Sequence, residues 1–227
     1  MTQSPSPVAP RMFSDRVDAF HTQLAAQVPA DMLGSVDAQI TNLGVIGAGA
    51  GALKVGDAAP SFDLPDARGG RGSLDVALRD GPVVLVFYRG QWCPYCDLQL
   101  RAYQEVLPRI RALGATMVAV SPQTPDESLS TAEKRSLAFA VLSDRGNEVA
   151  RRYGLVFRSP AGLDAVHRGF GIDLARSNGD DSNELPVPGV FIIGRDRRIA
   201  FRFVEPDYRV RLEPAALLAQ LESMSGK

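Results

Sequence analysis

The run Val83-Val84-Leu85-Val86-Phe87-Tyr88 is the tightest constraint on how this 227-residue chain can fold. It is apolar, rich in β-branched and aromatic residues, and does not alternate with polar ones. A strand made of it is therefore covered on both faces, as in the middle of an α/β sheet. Arg89, Gly90, Gln91 and Trp92 separate it from Cys93-Pro94-Tyr95-Cys96. A helical pattern follows, with Tyr103, Val106, Leu107, Ile110 and Leu113 on one face and Pro108 inside it, where a kink is expected.

Downstream, residues 115–120 read as a second buried strand. Residues 125–136 read as a helix opened by Pro-Asp-Glu, and 139–142 as a short strand. A short helix over 147–153 stops at Gly154, and 177–183 form a polar loop. Residues 190–193 and 199–204 read as a hairpin across the turn at 195–198, and an amphipathic helix over 212–221 closes the chain. Strands alternating with helices and ending in an antiparallel pair predict an α/β sandwich, with helices on both faces of one mixed sheet.

The N-terminal part differs. Residues 1–10 are rich in Pro and Ser and are expected to be disordered. Helical spacing then covers 12–28 (Phe13, Val17, Phe20, Leu24, Val28) and 31–46 (Leu33, Val36, Ile40, Leu43, Ile46). The resulting hairpin must bury its apolar stripe, and a packing or homodimerising appendage is the plain expectation. The Gly/Ala stretch 47–52 matches a dinucleotide fingerprint formally, but no strand precedes it and no helix follows. It reads as a linker. The division expected is 1–52, a tail plus helical hairpin and linker, and 53–227, the sheet domain.

With 25 basic and 26 acidic residues, the chain has no electrostatic footprint for nucleic acid or anionic lipid. The N-terminus lacks the basic and apolar regions of a signal peptide, and no apolar stretch approaches the ~20 residues of a membrane span. A cytoplasmic location is expected.

Cys93 and Cys96 are the only cysteines, too few for a disulfide-stapled scaffold. At a strand-to-helix junction they stand at a helix N-terminus, where partial positive charge and free N–H groups favour thiolate. Their spacing puts both sulfurs on one face of the first turn, within disulfide reach. Pro94 suits a first helical turn, and Trp92 would offer a flat apolar surface beside the sulfurs. A metal half-site is the weaker alternative. His21 and His167 are the only histidines to complete it, and they lie in unrelated segments. An inert buried pair is also weaker than a redox-active one. No cofactor is implied.

Val55-Gly56-Asp57-Ala58-Ala59-Pro60-Ser61-Phe62, the strand into the thiol motif, Val141-Leu142-Ser143-Asp144 and Pro188-Gly189-Val190-Phe191 stand in the order seen in one family. On these blocks, the chain from about 54 to 222 resembles the peroxiredoxin-like AhpC/TSA branch of the thioredoxin-fold superfamily. The resemblance implies a thioredoxin-like fold with the N-terminal hairpin added outside it. The motif itself is hybrid. Laid on the peroxiredoxin pattern, the peroxidatic Cys falls on Cys96, the motif Thr on Cys93, the motif Pro on Arg89, and the later catalytic Arg on Pro188. Trp92-Cys93-Pro94-Tyr95-Cys96 resembles the thioredoxin W-C-x-x-C, with a glutaredoxin-like Pro-Tyr between the cysteines.

The resemblance implies a thiol-dependent peroxidase acting on hydrogen peroxide or organic hydroperoxides. The alternatives are a disulfide reductase and a non-enzymatic redox sensor. In the thioredoxin-like assignment Cys93 is the nucleophile, and in the peroxiredoxin-like one Cys96 is. Either way a Cys93–Cys96 disulfide forms, and an external thiol of thioredoxin or glutathione type must reduce it. Arg89 is expected to bring its guanidinium near the thiols and lower a thiol pKa. Pro188 is expected to be a cis-proline facing them, with Tyr95 also in a supporting role.

Overall fold

The computed structural model describes residues 12–134 and 136–225; the expected disorder of 1–10 lies outside them. The chain opens with α1 (Phe13–Ala25) and α2 (Ala30–Val45), then a small antiparallel pair, β1 (Asp63–Pro65) and β2 (Arg71–Ser73). Next come α3 (Leu74–Asp80), β3 (Val83–Phe87), α4 (Pro94–Ala112), β4 (Thr116–Ser121), α5 (Pro125–Lys134) and β5 (Ala140–Ser143). A single 3₁₀ turn (Arg145–Asn147) leads to α6 (Glu148–Arg152), β6 (Val156–Arg158), α7 (Ala161–Gly169), α8 (Leu174–Asn178) and β7 (Glu184–Pro186). The hairpin β8 (Gly189–Ile193) and β9 (Ile199–Val204) and the helix α9 (Pro214–Ser225) end the fold.

The main sheet has the order β5-β4-β3-β8-β9. β3 runs parallel to β4, and β4 to β5, while β8 and β9 are antiparallel to their neighbours. This is the expected mixed α/β sandwich, with the apolar run as its central strand. All of β3 is buried, and its period-2 side chains divide between two cores. Val84, Val86 and Tyr88 join a core with Leu100, Tyr103 and Leu107 of α4. Val83, Leu85 and Phe87 join the other, with Leu74 and Leu78 of α3 and Tyr153. α4 runs unbroken through Pro108, with buried Leu107 and Ile110 holding that turn against the sheet.

The N-terminal hairpin buries its stripe within the same chain. α1 packs on α4 and α2 on α7, and Phe13, Val17, Ile40 and Leu43 belong to the same core as Tyr88 and Leu100. The first backbone N–H groups of α1, at Phe13 and Ser14, donate to the Glu213 carboxylate at 2.9 and 2.8 Å. A carboxylate there satisfies orphan donors and complements the helix dipole. Arg16 adds a bidentate pair with Glu105 on α4, at 2.8 and 2.6 Å. The Gly/Ala linker is held as closely. Gly154 has φ +71°, and a Cβ there would stand 2.0 Å from the Gly51 carbonyl, so only glycine permits that contact.

Several elements carry no clear sequence signal. Three-residue strands (β1, β2, β6, β7) are too short to show a period, and α3, α7 and α8 run through segments without a long apolar pattern. If the hairpin is integral to the core, Leu43→Ala, at 1% exposure, should cost about 2–5 kcal/mol. Urea unfolding followed by circular dichroism should show one transition at a lower midpoint. A separate early transition of the hairpin would contradict this.

Candidate active site

β3 delivers the chain to the edge of the sheet, and the next residues turn it into α4. Gly90 makes that turn at φ +151°, where a Cβ would collide with the Trp92 indole at 2.5 Å. The Cys93 N–H donates to the Gly90 carbonyl at 3.1 Å and closes the turn. Cys93 is then the N-cap of α4 and Pro94 its first residue, as the missing Pro N–H allows. Cys96 therefore sits in the first turn. Both thiols are free and each is 1% exposed.

The two sulfurs are not equivalent. Burial raises the Cys93 pKa, and the hydrogen bond and charge at Cys96 raise it further; the positive charges of Arg89 and Arg211 oppose this without prevailing. Burial also raises Cys96, but a hydrogen bond from Cys93 and the charge and hydrogen bond of Arg211 outweigh it. The Arg211 Nη2 and the Arg89 backbone N–H each donate to the Cys96 Sγ at 3.5 Å. Cys96 is thereby held well below the ordinary thiol range and Cys93 well above it. Of the two sulfurs, Cys96 is the one whose surroundings favour negative charge, with the Arg211 guanidinium and the Arg89 N–H both donating to it.

Arg211 is 7% exposed and is held by further hydrogen bonds, from Nε to the Tyr208 carbonyl at 2.6 Å and from Nη1 to the Gln99 side chain at 2.7 Å. Tyr103 secures the same segment by donating to the Leu212 carbonyl at 2.9 Å. No spacing rule could pair Arg211 with Cys96 across more than a hundred residues.

Arg89 meets its expectation in part: the charge of its guanidinium acts to lower the Cys93 pKa. Its backbone rather than its guanidinium meets Cys96. The guanidinium points to His167, with Nη2 2.7 Å from Nε2, and stacks 4.0 Å from the Tyr208 ring and 4.7 Å from the Trp92 ring. Burial, and then the Arg89 charge, push His167 from 6.5 down to about 3, so the neutral ring accepts the Arg89 hydrogen bond. Both histidines reach the site after all, as packing partners rather than ligands. His167 lies 5.1 Å from the Trp92 ring, and His21 Nε2 is 3.1 Å from the Tyr95 hydroxyl. No cluster of three metal-ligating side chains occurs among the described residues.

Pro188 is corrected as well. No peptide bond among the described residues is cis, so Val187–Pro188 is trans. Gly189 pairs with Phe87, which leaves Pro188 buried beside the end of β3 and outside the cavity over the thiols. The register of β8 on β3 occupies that place with an ordinary strand entry.

A cavity of about 320 Å³ opens over the motif, and Cys93 lines it. Trp92, Pro94, Tyr95 and Tyr208 form its floor, with Arg89 and His167 beside them. Val166, Phe170 and Ile172 close one side, and Phe20, Leu24 and Val36 of the N-terminal hairpin close another.

A βαβ unit and a β-hairpin in one mixed sheet, with a Cys-x-x-Cys pair opening the first long helix, define a dithiol redox protein of thioredoxin fold. Residues 55–202 match the AhpC/TSA family, and the chain belongs to it. A Mycobacterium tuberculosis (strain ATCC 25618 / H37Rv) protein classed with the peroxiredoxins is 32% identical over 103 residues, covering 45% of this chain and 67% of its own. Peroxiredoxin Bcp of Escherichia coli K12 is 30% identical over 103 residues, covering 45% of this chain and 65% of its own. The crystal structure of peroxidoxin BcpB from Mycobacterium tuberculosis matches with a TM-score of 0.59 at 25% identity, over 76% of this chain and 98% of that one. These relatives make the chain a thiol-dependent peroxidase. The hairpin α1–α2 lies outside the family match.

Two outcomes test the electrostatics. In a Cys93→Ser background the thiolate absorbance of Cys96 should persist well below the ordinary thiol range. Arg211→Gln should raise that titration by about one unit or more; no change would mean that Arg211 does not hold the charge. For His167, a folded pKa lowered from 6.5 to about 3 stabilises the fold above 6.5, and that stability is lost as pH falls toward 3. His167→Asn should flatten this part of the acid limb in urea titrations across pH.

Proposed function

We propose that Cys96 is the peroxidatic nucleophile and Cys93 the resolving thiol of a hydroperoxide-reducing cycle. The donor set at Cys96 carries this reading: the Arg211 guanidinium, the Arg89 N–H and the Cys93 thiol all favour its charged form. Cys96 aligns with the peroxidatic position, while Arg211 supplies from the C-terminal segment the cation that Pro188 cannot.

The Cys96 thiolate attacks the terminal oxygen of R–O–O–H. The S–O bond forms as the O–O bond breaks, and ROH leaves after taking up a proton. Cys96 is now a sulfenic acid. The Cys93 sulfur attacks it, water leaves, and the Cys93–Cys96 disulfide forms, the two thiols together having supplied both electrons. An external dithiol or glutathione-type donor must then reduce that disulfide. The need for such a donor supports a cytoplasmic location as part of the proposal. A hairpin stripe buried within its own chain leaves self-association unnecessary to the cycle.

One observation favours disulfide reduction as a second reading. The cavity reaches Cys93 rather than Cys96, as a thioredoxin-like attack through Cys93 would need. Stopped-flow mixing of the reduced protein with one equivalent of hydrogen peroxide separates the two. Wild type and Cys93→Ser should lose thiolate much faster than free cysteine, the variant stopping at a sulfenic acid that dimedone traps. Cys96→Ser should react no faster than free cysteine. The converse pattern, together with rapid insulin reduction, would move the nucleophile to Cys93.

A further inference from the structure

Arg89 lines the cavity, yet it is only 2% exposed and makes no ion pair among the described residues. A guanidinium stays charged, and an isolated buried charge is costly. Its contacts relieve this only in part: a neutral imidazole, the hydroxyl and ring of Tyr208, the Trp92 face, and an Nε without a hydrogen-bond partner. The thiol pair does not neutralise it. Negative charge is favoured on Cys96, where Arg211 meets it. Of the two buried guanidiniums, only that of Arg211 donates to a thiol sulfur, while that of Arg89 meets a neutral ring.

The cavity around Arg89 is mostly apolar, and at about 320 Å³ it is far larger than hydrogen peroxide needs. Part of its wall is Phe20, Leu24 and Val36, from the hairpin outside the family match. A wall built of added helices, facing a buried cation without a counter-ion, is a recognition feature for an apolar molecule bearing one anionic group.

We propose that the substrate is an organic hydroperoxide carrying a carboxylate. Arg89 receives the carboxylate, the hairpin and α7 enclose the apolar body, and the peroxide group lies on the Cys93 side of the thiol pair, the side from which it must reach Cys96. The inference rests on the peroxidase reading for its chemistry. The carboxylate is an anchor and takes no part in the electron balance, which is that of any hydroperoxide reduced to its alcohol and water.

Binding can be tested apart from turnover. Trp92 is the only tryptophan and lines the cavity, so its fluorescence reports occupancy. The probes are 4-(2-hydroxypropan-2-yl)benzoate, the alcohol product of a carboxylated cumene hydroperoxide, and its methyl ester. The reduced wild-type protein should bind the acid about tenfold or more tightly than the ester. Arg89→Gln should abolish that preference, and Arg89→Lys should keep part of it. With the corresponding hydroperoxides, kcat/KM should favour the acid by a similar factor. Leu24→Ala should lower the ratio of aryl hydroperoxide to hydrogen peroxide turnover. Equal affinity of the unaltered protein for acid and ester would overturn the proposal without recourse to any variant. A binding preference with thiols that react no faster than free cysteine would uphold the anchor and sink the peroxidase reading instead.

Discussion

The buried charge of Arg211 organises this molecule. A guanidinium inside an apolar core needs a partner that is also charged, and the partner here is a thiol rather than a carboxylate. Arg211 and Cys96 each lower the cost of the other's charge, so the residue that places the C-terminal segment over α4 also makes the sulfur reactive. The hydrogen bonds to Gln99 and the Tyr208 carbonyl, with Tyr103 held to Leu212, keep that contact in one geometry. Two sulfurs with the same local motif then diverge, Cys96 toward thiolate and Cys93 toward thiol. Helix position alone does not separate them, since both lie at the N-terminus of α4.

The same segment ties in the N-terminal hairpin. Glu213, two residues past Arg211, caps α1, while Tyr208 stacks near Tyr95, which in turn meets Phe20 and His21. The family domain and its added helices thus share one core and one cavity. The hairpin lies outside the family match, and it supplies one wall of the cavity above the thiols.

The main sheet was legible because its strands are short apolar runs between clear punctuation. β3, β4, β5 and the β8–β9 hairpin, and the helices α1, α2, α4, α5, α6 and α9, fall within a few residues of their expected places. The three-residue strands and α7 were not legible. α7 matters most, since it carries His167 to the Arg89 guanidinium, and the segment around it had no assigned helix. Pro188 shows the opposite failure. A resemblance placed a cis-proline at the thiols, while the pairing of Gly189 with Phe87 lets a trans residue enter β8.

By itself the sequence determined the central strand, the strand-to-helix junction and the reactive pair upon it. Hydrophobic runs and helix-start chemistry are local, and Cys93 and Cys96 carry their spacing wherever the chain goes. It also determined that a disulfide within the chain joins these two sulfurs, because there is no third. Only the tertiary structure decided which sulfur holds the charge, that Arg89 faces His167 and the cavity, and that the N-terminal helices form part of its wall. Those outcomes depend on burial and on contacts between distant segments. The energy of a buried charge is set by what surrounds it in space, not by its neighbours along the chain.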